Sequence, residues 1–141
     1  MIILGVDYGE VRTGTAYCDS RETLAIPYCV ITEKDIKKVS GKITEKAKEV
    51  KAELIVMGLP VNMDGSEGTQ AKKCRELAEL TEQNSSIPVI LRDERLSTKM
   101  ATQYMNQTDK RGSKRKEIID AAAAAVILQN YLDYRKNSIN K

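Results

Sequence analysis

The amino end of the chain reads Ile2-Ile3-Leu4-Gly5-Val6-Asp7, then Tyr8-Gly9-Glu10-Val11-Arg12, then Thr13-Gly14-Thr15-Ala16-Tyr17-Cys18. An apolar run of β-forming residues followed by a glycine-bearing turn and a second such run predicts a hairpin. Its first strand is predicted to be central and buried, with Asp7 at its carboxyl end. Because an unpaired charge at that place is costly, we expect Asp7 to be paired, hydrated or bound to a cation.

Composition limits the chemistry that the chain can perform. The 141 residues, of which 41% are hydrophobic, predict one globular domain spanning 1–141 that needs no disulfide or metal to hold its core. There is no histidine, so acid–base or metal chemistry must use carboxylate, lysine, tyrosine or cysteine side chains. Three cysteines without a C-x-x-C pair predict reduced thiols in a cytoplasmic protein.

The charge and hydropathy patterns bear on partners. A net charge of +3 permits a polyanionic partner without requiring one, and the absence of Phe and Trp argues against a base-stacking platform. No signal-peptide pattern is present at the amino end, and the longest apolar run, Ala121–Leu128, is too short to span a membrane. We therefore expect no membrane partner.

The rest of the chain alternates between strand and helix patterns. Strands are predicted at about 1–7, 13–18, 26–31, 54–58 and 89–91, and helices at about 33–51, 69–81, from Ser97 onward, and 113–134. Thr32–Asp35 resembles a capping box, and the lysines at 34, 37, 38, 42 and 48 are predicted to form a solvated helix face. Residues 106–114 and the tail from Arg135 are predicted to be mobile. This order predicts an α/β fold: a mixed five-stranded sheet with helices on both faces.

Acidic residues stand at three places where chemistry usually occurs. Asp7 ends the first strand, Glu94 with Asp93 beside it follows the last strand, and Asp120 lies on the inward face of the final helix. Carboxyl ends of strands in such a sheet share one edge, so these carboxylates can meet there. Carboxylates that meet repel each other unless a cation intervenes, and oxygen ligands suit Mg²⁺ or Mn²⁺. Such ions activate water and polarise phosphoryl oxygens.

Each of these acids also has an ordinary structural interpretation. Asp7 could bond its own turn, and Glu94 could pair on the surface with Arg92 or Arg95. Asp120 could be a first-turn helix carboxylate stabilised by the helix dipole.

Two further features favour a partner that carries phosphate. The segment Lys110-Arg111-Gly112-Ser113-Lys114-Arg115-Lys116 packs five cations into seven residues beside the helix of Asp120. Such cations, Lys114, Arg115 and Lys116 among them, can hold a nucleic-acid backbone, although an isolated run is more often a solvated loop. The loop Asn62–Ser66 precedes a helix and could hold an anion.

Four motifs together resemble the YqgF family, whose members are described as Holliday junction resolvases and as pre-16S ribosomal RNA nucleases. They are Asp7-x-Gly9-x-x-Arg12-x-Gly14, Gly58-Leu59-Pro60-x-Asn62-Met63-Asp64-Gly65-Ser66, Asp93-Glu94-Arg95-Leu96-Ser97-Thr98, and Asp120-x-x-Ala123-Ala124-x-x-Ile127-Leu128. The match covers almost the whole chain. It implies a ribonuclease H-like fold in a cytoplasmic bacterial protein that trims the 5′ end of the 16S rRNA precursor, with the ribosomal precursor particle as a candidate partner.

The resemblance also implies that Asp7, Glu94 and Asp120 carry the metal site. We extend it to Arg12, Asn62 and Ser66 as residues that hold substrate. The fourth strand, which often ends in an acid in ribonuclease H-like proteins, here ends in Gly58-Leu59-Pro60. The pair Asp93-Glu94 must then substitute, with Glu94 as the preferred ligand and the strand register deciding between the two.

The leading hypothesis is therefore a Mg²⁺- or Mn²⁺-dependent phosphodiesterase acting on structured RNA, as a monomer or a homodimer. Branched DNA is the alternative substrate, and a non-catalytic RNA-binding module is a second hypothesis, supported by the missing acid on the fourth strand. An actin-like ATPase also begins with an Asp-x-Gly hairpin, but that fold normally needs two such domains.

Overall fold

The computed structural model describes the backbone of residues 1–93 and 112–139, and the side chains of residues 1–93 and 121–137. The described elements are β1 (Ile3–Asp7), β2 (Arg12–Cys18), β3 (Ala25–Thr32), α1 (Ile36–Glu49), β4 (Leu54–Leu59), α2 (Thr69–Ser85), β5 (Val89–Asp93) and α3 (Gly112–Ile139). The predicted alternation of strands and helices is confirmed over these ranges. The helix predicted from Ser97 onward lies outside the described residues.

The five strands form one mixed sheet in the order β3-β2-β1-β4-β5, so the predicted central place of β1 is confirmed. β1 is antiparallel to β2 and parallel to β4, and β5 is parallel to β4. The carboxyl ends of β1, β4 and β5 therefore share one edge of the sheet, which we call the carboxyl edge. β3 is an outer strand, where Pro27 is tolerated because one side of the strand needs no partner.

Alternating side chains of each strand pack on opposite faces of the sheet. One face carries large aliphatic residues such as Leu4, Val6 and Met57 and packs under α1 and α2. The other face packs under α3 and includes Ile3 and Val56. We call these the α1/α2 face and the α3 face.

Helix α3 approaches the α3 face closely because β1 has a glycine at the crossing. A Cβ atom on Gly5 would lie 2.8 Å from the Cβ of Leu128 and 3.0 Å from the carbonyl oxygen of Ala124. Small residues on the helix and a glycine on the strand thus bring the two backbones together. The alanine run of α3 takes part in this close packing, since Ala121, Ala122 and Ala124 are buried.

The far end of α3 is held beside the amino end of β1. Arg135 donates to the Glu22 carboxylate at 2.7 and 3.3 Å, and the amino group of Met1 lies 2.9 Å from the same carboxylate. These contacts lower the pKa of Glu22 below its ordinary value, with the hydrogen bond from Arg135 as the largest cause. Helix α3 therefore runs antiparallel to β1, and its earlier turns lie towards the carboxyl edge.

Several element boundaries differ from the predicted ones. Helix α1 begins at Ile36, and its N-cap is Asp35, which accepts from the backbone N–H of Lys37. The predicted capping box starting at Thr32 is wrong because Thr32 still belongs to β3, where it pairs with Arg12.

The later helices are longer than predicted. Helix α2 continues to Ser85, and α3 runs from Gly112 to Ile139, through part of both segments that were predicted to be mobile. The remaining residues of those segments lie outside the described chain. None of the described helices is long and apolar enough to cross a membrane.

Candidate active site at the carboxyl edge

Asp7 is the last residue of the central strand and lies half-buried at the carboxyl edge. Strand alternation places it on the α3 face, because Leu4 and Val6 pack on the opposite face while Ile3 packs under α3. Its partner across the β1–β2 pair is Gly14, which has no side chain to cover it. Asp7 therefore faces the same side of the sheet as α3.

The turn after Asp7 requires glycine at position 9. A Cβ atom on Gly9 would collide with the backbone carbonyl oxygen of Arg12. The predicted close backbone approach in this hairpin is thus confirmed, and it brings the first residue of β2 back beside the end of β1. Arg12 is half-buried and, two residues from Gly14, belongs to the α3 face with Asp7.

Residue 120 lies at the level of Asp7 along the strand direction. Gly5 sits under the turn from Ala124 to Leu128. From Gly5 to Asp7 the strand advances about 7 Å, which is the rise of about four or five helical residues. Because α3 runs antiparallel to β1, this step leads back from that turn to about residues 120–122. The side chain of Asp120 itself lies outside the described part.

Asp120 stands well inside α3 and not in its first turn. The helix begins at Gly112, more than two turns earlier. The helix-dipole interpretation of this carboxylate is therefore wrong, because the stabilising effect of the dipole is confined to the terminal turn.

The end of β5 separates the two neighbouring acids by face. Val89 and Leu91 pack with the α1/α2 core, whereas Ile90 packs with the α3 core. The same alternation gives Asp93 to the α1/α2 face, opposite to Asp7, and its side chain is exposed. Glu94 lies outside the described residues.

Arg92 lies on the α3 face, although the sequence suggested for it only a surface ion pair with Glu94. Its guanidinium donates to the Asn130 side chain at 2.6 Å. It also lies over the rings of Tyr131 and Tyr134, at 5.6 and 4.9 Å from their centroids. These contacts tie the outer strand β5 to α3. The alternation of Ile90 and Arg92 was the sequence signal for this placement.

The loop from Asn62 to Ser66 follows β4 at the same edge and is held by its own polar groups. Asn62 donates to the Ser66 hydroxyl at 3.0 Å, and Ser66 donates to Asp64 from its hydroxyl at 2.6 Å and from its backbone N–H at 2.9 Å. The two hydrogen bonds from Ser66, first the one from its hydroxyl and then the one from its backbone N–H, lower the pKa of Asp64 below its ordinary value. The exposed loop is thus ordered by its own contacts before any ligand binds.

The basic segment is only partly visible. Lys110 and Arg111 lie outside the described chain. Lys114, Arg115 and Lys116 belong to the start of α3, which agrees with the helix predicted from about residue 113, and their side chains are outside the described part.

The donor set that the carboxyl edge offers suits a hard divalent cation. The described acidic residue on its α3 face is the half-buried Asp7, and oxygen donors of this kind are those that Mg²⁺ and Mn²⁺ prefer. Within residues 1–93 and the described side chains of α3, no three Cys, Asp or Glu residues are grouped to hold a metal ion. The three cysteines are free thiols, as predicted. Any three-carboxylate site must therefore include a carboxylate outside the described side chains.

Comparison with known proteins assigns the chain to a family. The chain is 40% identical to the "Putative pre-16S rRNA nuclease" of Syntrophomonas wolfei over 133 residues, which cover 94% of each chain. It is also 40% identical to the protein of the same name from Thermoanaerobacter pseudethanolicus over 138 residues, which cover 97% of this chain and 99% of the other. These relatives match across nearly their whole length.

Solved structures share the fold at low sequence identity. RuvC of T. thermophilus in complex with a Holliday junction substrate superposes with a TM-score of 0.64 at 13% identity, covering 98% of this chain and 97% of that one. The fowlpox virus resolvase bound to Holliday junction DNA gives 0.60 at 14%, covering 96% and 99%. The fold is thus ribonuclease H-like, as the resemblance implied. The model of the RuvX family, described as "Holliday junction resolvase", matches residues 1–134, and the chain belongs to this family.

Proposed function

We propose that the chain is a metal-dependent nuclease that processes the 5′ end of pre-16S rRNA. Relatives at 40% identity share the name "Putative pre-16S rRNA nuclease", which supports pre-16S rRNA as the substrate. The observation that carries the chemistry is Asp7, a half-buried carboxylate at the end of the central strand, on the face and at the level where α3 presents residue 120. A cytoplasmic location goes with this substrate and is part of the proposal.

The metal ligands in this proposal are Asp7, Glu94 and Asp120. Strand alternation supports Glu94 over Asp93, since it assigns Asp93 to the face opposite Asp7. A bound Mg²⁺ or Mn²⁺ would supply Lewis acidity to the scissile phosphate and an activated water. The task of the chain is to hold three carboxylates together at one edge, where their mutual repulsion favours a cation.

The same edge provides groups for the nucleic-acid backbone. Arg12 shares the α3 face with Asp7 near the carboxyl edge, and a guanidinium can bind a phosphate. Lys114, Arg115 and Lys116 at the start of α3 add positive charge near residue 120. Asn62 and Ser66 lie on the ordered loop after β4, where their N–H and O–H groups can meet substrate once they exchange their internal hydrogen bonds.

The test is cleavage of a 5′-extended 16S precursor in Mg²⁺ and in Mn²⁺ by wild type, Asp7→Asn and Asp120→Asn. These substitutions keep side-chain shape and remove charge. Loss of cleavage in both variants, with RNA binding and the unfolding midpoint retained, supports the carboxylate–metal mechanism. Absence of wild-type cleavage, or equal cleavage by all three proteins, would contradict it.

Resolution of branched DNA is the second candidate. The description of the family and the two solved resolvases favour it. Symmetric resolution of a four-way junction needs two active sites, so this reading requires a homodimer. Sedimentation of the protein with and without junction DNA, together with cleavage of the same junction, decides between a monomeric RNA nuclease and a dimeric resolvase.

A non-catalytic RNA-binding module is the third candidate, favoured by one observation. β4, the strand beside β1, ends in Gly58 and Leu59 and contributes no carboxylate to the edge. Such a module would bind pre-16S rRNA equally well in a chelator and in Mn²⁺ and would not cleave it.

A further inference from the structure

The solvent-facing side of α1 carries exposed lysines that the proposed active site does not use. Lys37 and Lys48 lie on one side of the helix with Gly41 between them, because their spacings of four and seven residues return to the same face. Lys38 lies beside this line, and Lys34 comes just before the helix. We call these four lysines, all exposed, the α1 lysine strip.

The charge of the strip is left largely uncompensated by the described chain. No ion pair between described residues involves a lysine of the strip. The ion pairs of this helix instead join Lys42 to Glu33 at 3.5 Å and Lys46 to Glu49 at 3.2 Å. The helix has five lysines and two glutamates, whereas α2, its neighbour on the same face, has three basic and three acidic residues. The positive excess of this face therefore belongs to α1.

The strip begins at the carboxyl edge. β3 ends at Thr32, which pairs with Arg12, and the backbone N–H of Glu33 donates to the carbonyl of Val11 at 2.9 Å. Lys34 follows directly. From Lys37 to Lys48 the helix rises about 16 Å away from this edge. The strip thus starts at the same edge of the sheet as Asp7, but on the α1/α2 side, and runs along the outside of α1.

The middle of the strip is open. A Cβ atom built on Gly41 would meet no atom within 4 Å. A glycine inside a helix lowers its stability, and here the structure shows no packing reason for it. In the described part of the chain nothing packs on Gly41, and the lysines on both sides of it outnumber the one acid of that face, Glu45, which leaves room for a close polyanionic partner.

We propose that the α1 lysine strip binds the phosphate backbone of the RNA arm that leaves the active site. The proposal rests on the proposed nuclease function and deepens it by assigning a path to the substrate. The strip spans about 16 Å along the helix, which is long enough to meet several successive phosphates of one strand. Lysines contact phosphates without reading bases, so the strip holds any sequence and favours long substrates over short ones.

The test is the salt dependence of RNA binding in EDTA, where cleavage does not interfere. The probe is a fluorescent fragment of 5′-extended 16S precursor, and the full chain is compared with Lys37→Gln/Lys48→Gln. The control is Lys72→Gln/Lys136→Gln, which removes the same charge from exposed lysines of α2 and α3. Glutamine nearly equals lysine in helix propensity, so both doubles should fold.

We expect the magnitude of the negative slope of log K against log salt to decrease by about 1.4 in Lys37→Gln/Lys48→Gln, since each lost single-strand phosphate contact removes about 0.7. The slope of the control variant should stay at the wild-type value. Glu45→Gln, which removes an exposed acid from the same face, should tighten binding. Equal slopes for the two double variants, or no RNA binding by the wild type, would overturn the proposal that the α1 lysine strip binds RNA. Failure of the nuclease function is read separately, as absence of wild-type cleavage in Mn²⁺.

Discussion

The two faces of the sheet are built in different ways. On the α3 face, Gly5 of β1 and the small residues of α3 let the helix and strand backbones approach closely. The α1/α2 face is filled instead by leucine, isoleucine, valine and methionine side chains between the sheet and its two helices. The comparison shows how the two faces divide their roles: the close approach places the backbone of residue 120 near the level of Asp7, whereas the larger side chains of the other face supply buried hydrophobic volume.

The largest expected effect separates the two neighbouring acids at the end of β5. Glu94→Gln should lower the rate of RNA cleavage by about 100-fold or more, because a metal ligand supplies several kcal/mol of transition-state stabilisation. Asp93→Asn is the matched control on the opposite face and should stay within a few-fold of wild type. Single-turnover cleavage measures both, and the reverse order would assign the ligand to Asp93 and contradict the alternation of β5.

Gly5→Ala should then show how tightly the α3 face is packed. The new methyl group would lie 2.8 Å from the Cβ of Leu128, so α3 must shift, and we expect a loss of about 1–3 kcal/mol in the free energy of unfolding. Urea denaturation measures this. The shift would also move residue 120 away from Asp7. The rate of RNA cleavage should therefore fall even under conditions in which the variant is still fully folded. A stable variant with full activity would show that the close approach is not required.

Glu22 tests the ion pairs that hold the far end of α3. Its pKa is lowered in the folded protein, so its contribution is present above the unfolded pKa near 4.5 and is lost as pH falls through the folded pKa. Glu22→Gln should cost about 1 kcal/mol at pH 7, a modest figure because the pair is partly exposed. The unfolding curves of the two proteins should differ at pH 7 and approach each other at pH 3. A difference that persists at pH 3 would mean that packing, and not charge, is lost.

The smallest effect is expected on the other face. Gly41→Ala adds a methyl group into open space on α1 and should raise the free energy of unfolding by about 0.5–1 kcal/mol. It is the counterpart of Gly5→Ala, with the opposite sign. A loss of stability at position 41 would show that this face is covered.

The sequence pattern predicts the fold well where local signals are strong. The hairpin, the buried strands and the inward residues of α2 (Ala71, Cys74, Leu77 and Ala78) follow from period and burial. Helix starts were harder to place. Thr32 has the composition of a cap, but pairing with Arg12 keeps it in β3 and moves the cap to Asp35. Local propensity alone does not reveal such pairing.

The candidate site could be predicted only in part. The sequence names the acids, but which of them share a face depends on register, which is a property of the assembled sheet. Pairing of Leu59 with Asp93 and packing of Ile90 under α3 are what assign Asp93 to the other face. The placement of the Arg92 guanidinium over the rings of Tyr131 and Tyr134 likewise depends on contacts between residues of β5 and α3, which lie far apart in sequence.

The most direct test of the central claim, that Asp7 and Asp120 hold one metal site, is calorimetric titration of Mn²⁺ into the wild type, Asp7→Asn, Asp120→Asn and Asp93→Asn. We predict that the wild type and Asp93→Asn bind Mn²⁺ with the same affinity, and that the other two variants lose binding while remaining folded. Wild-type affinity in Asp7→Asn or Asp120→Asn would contradict the account.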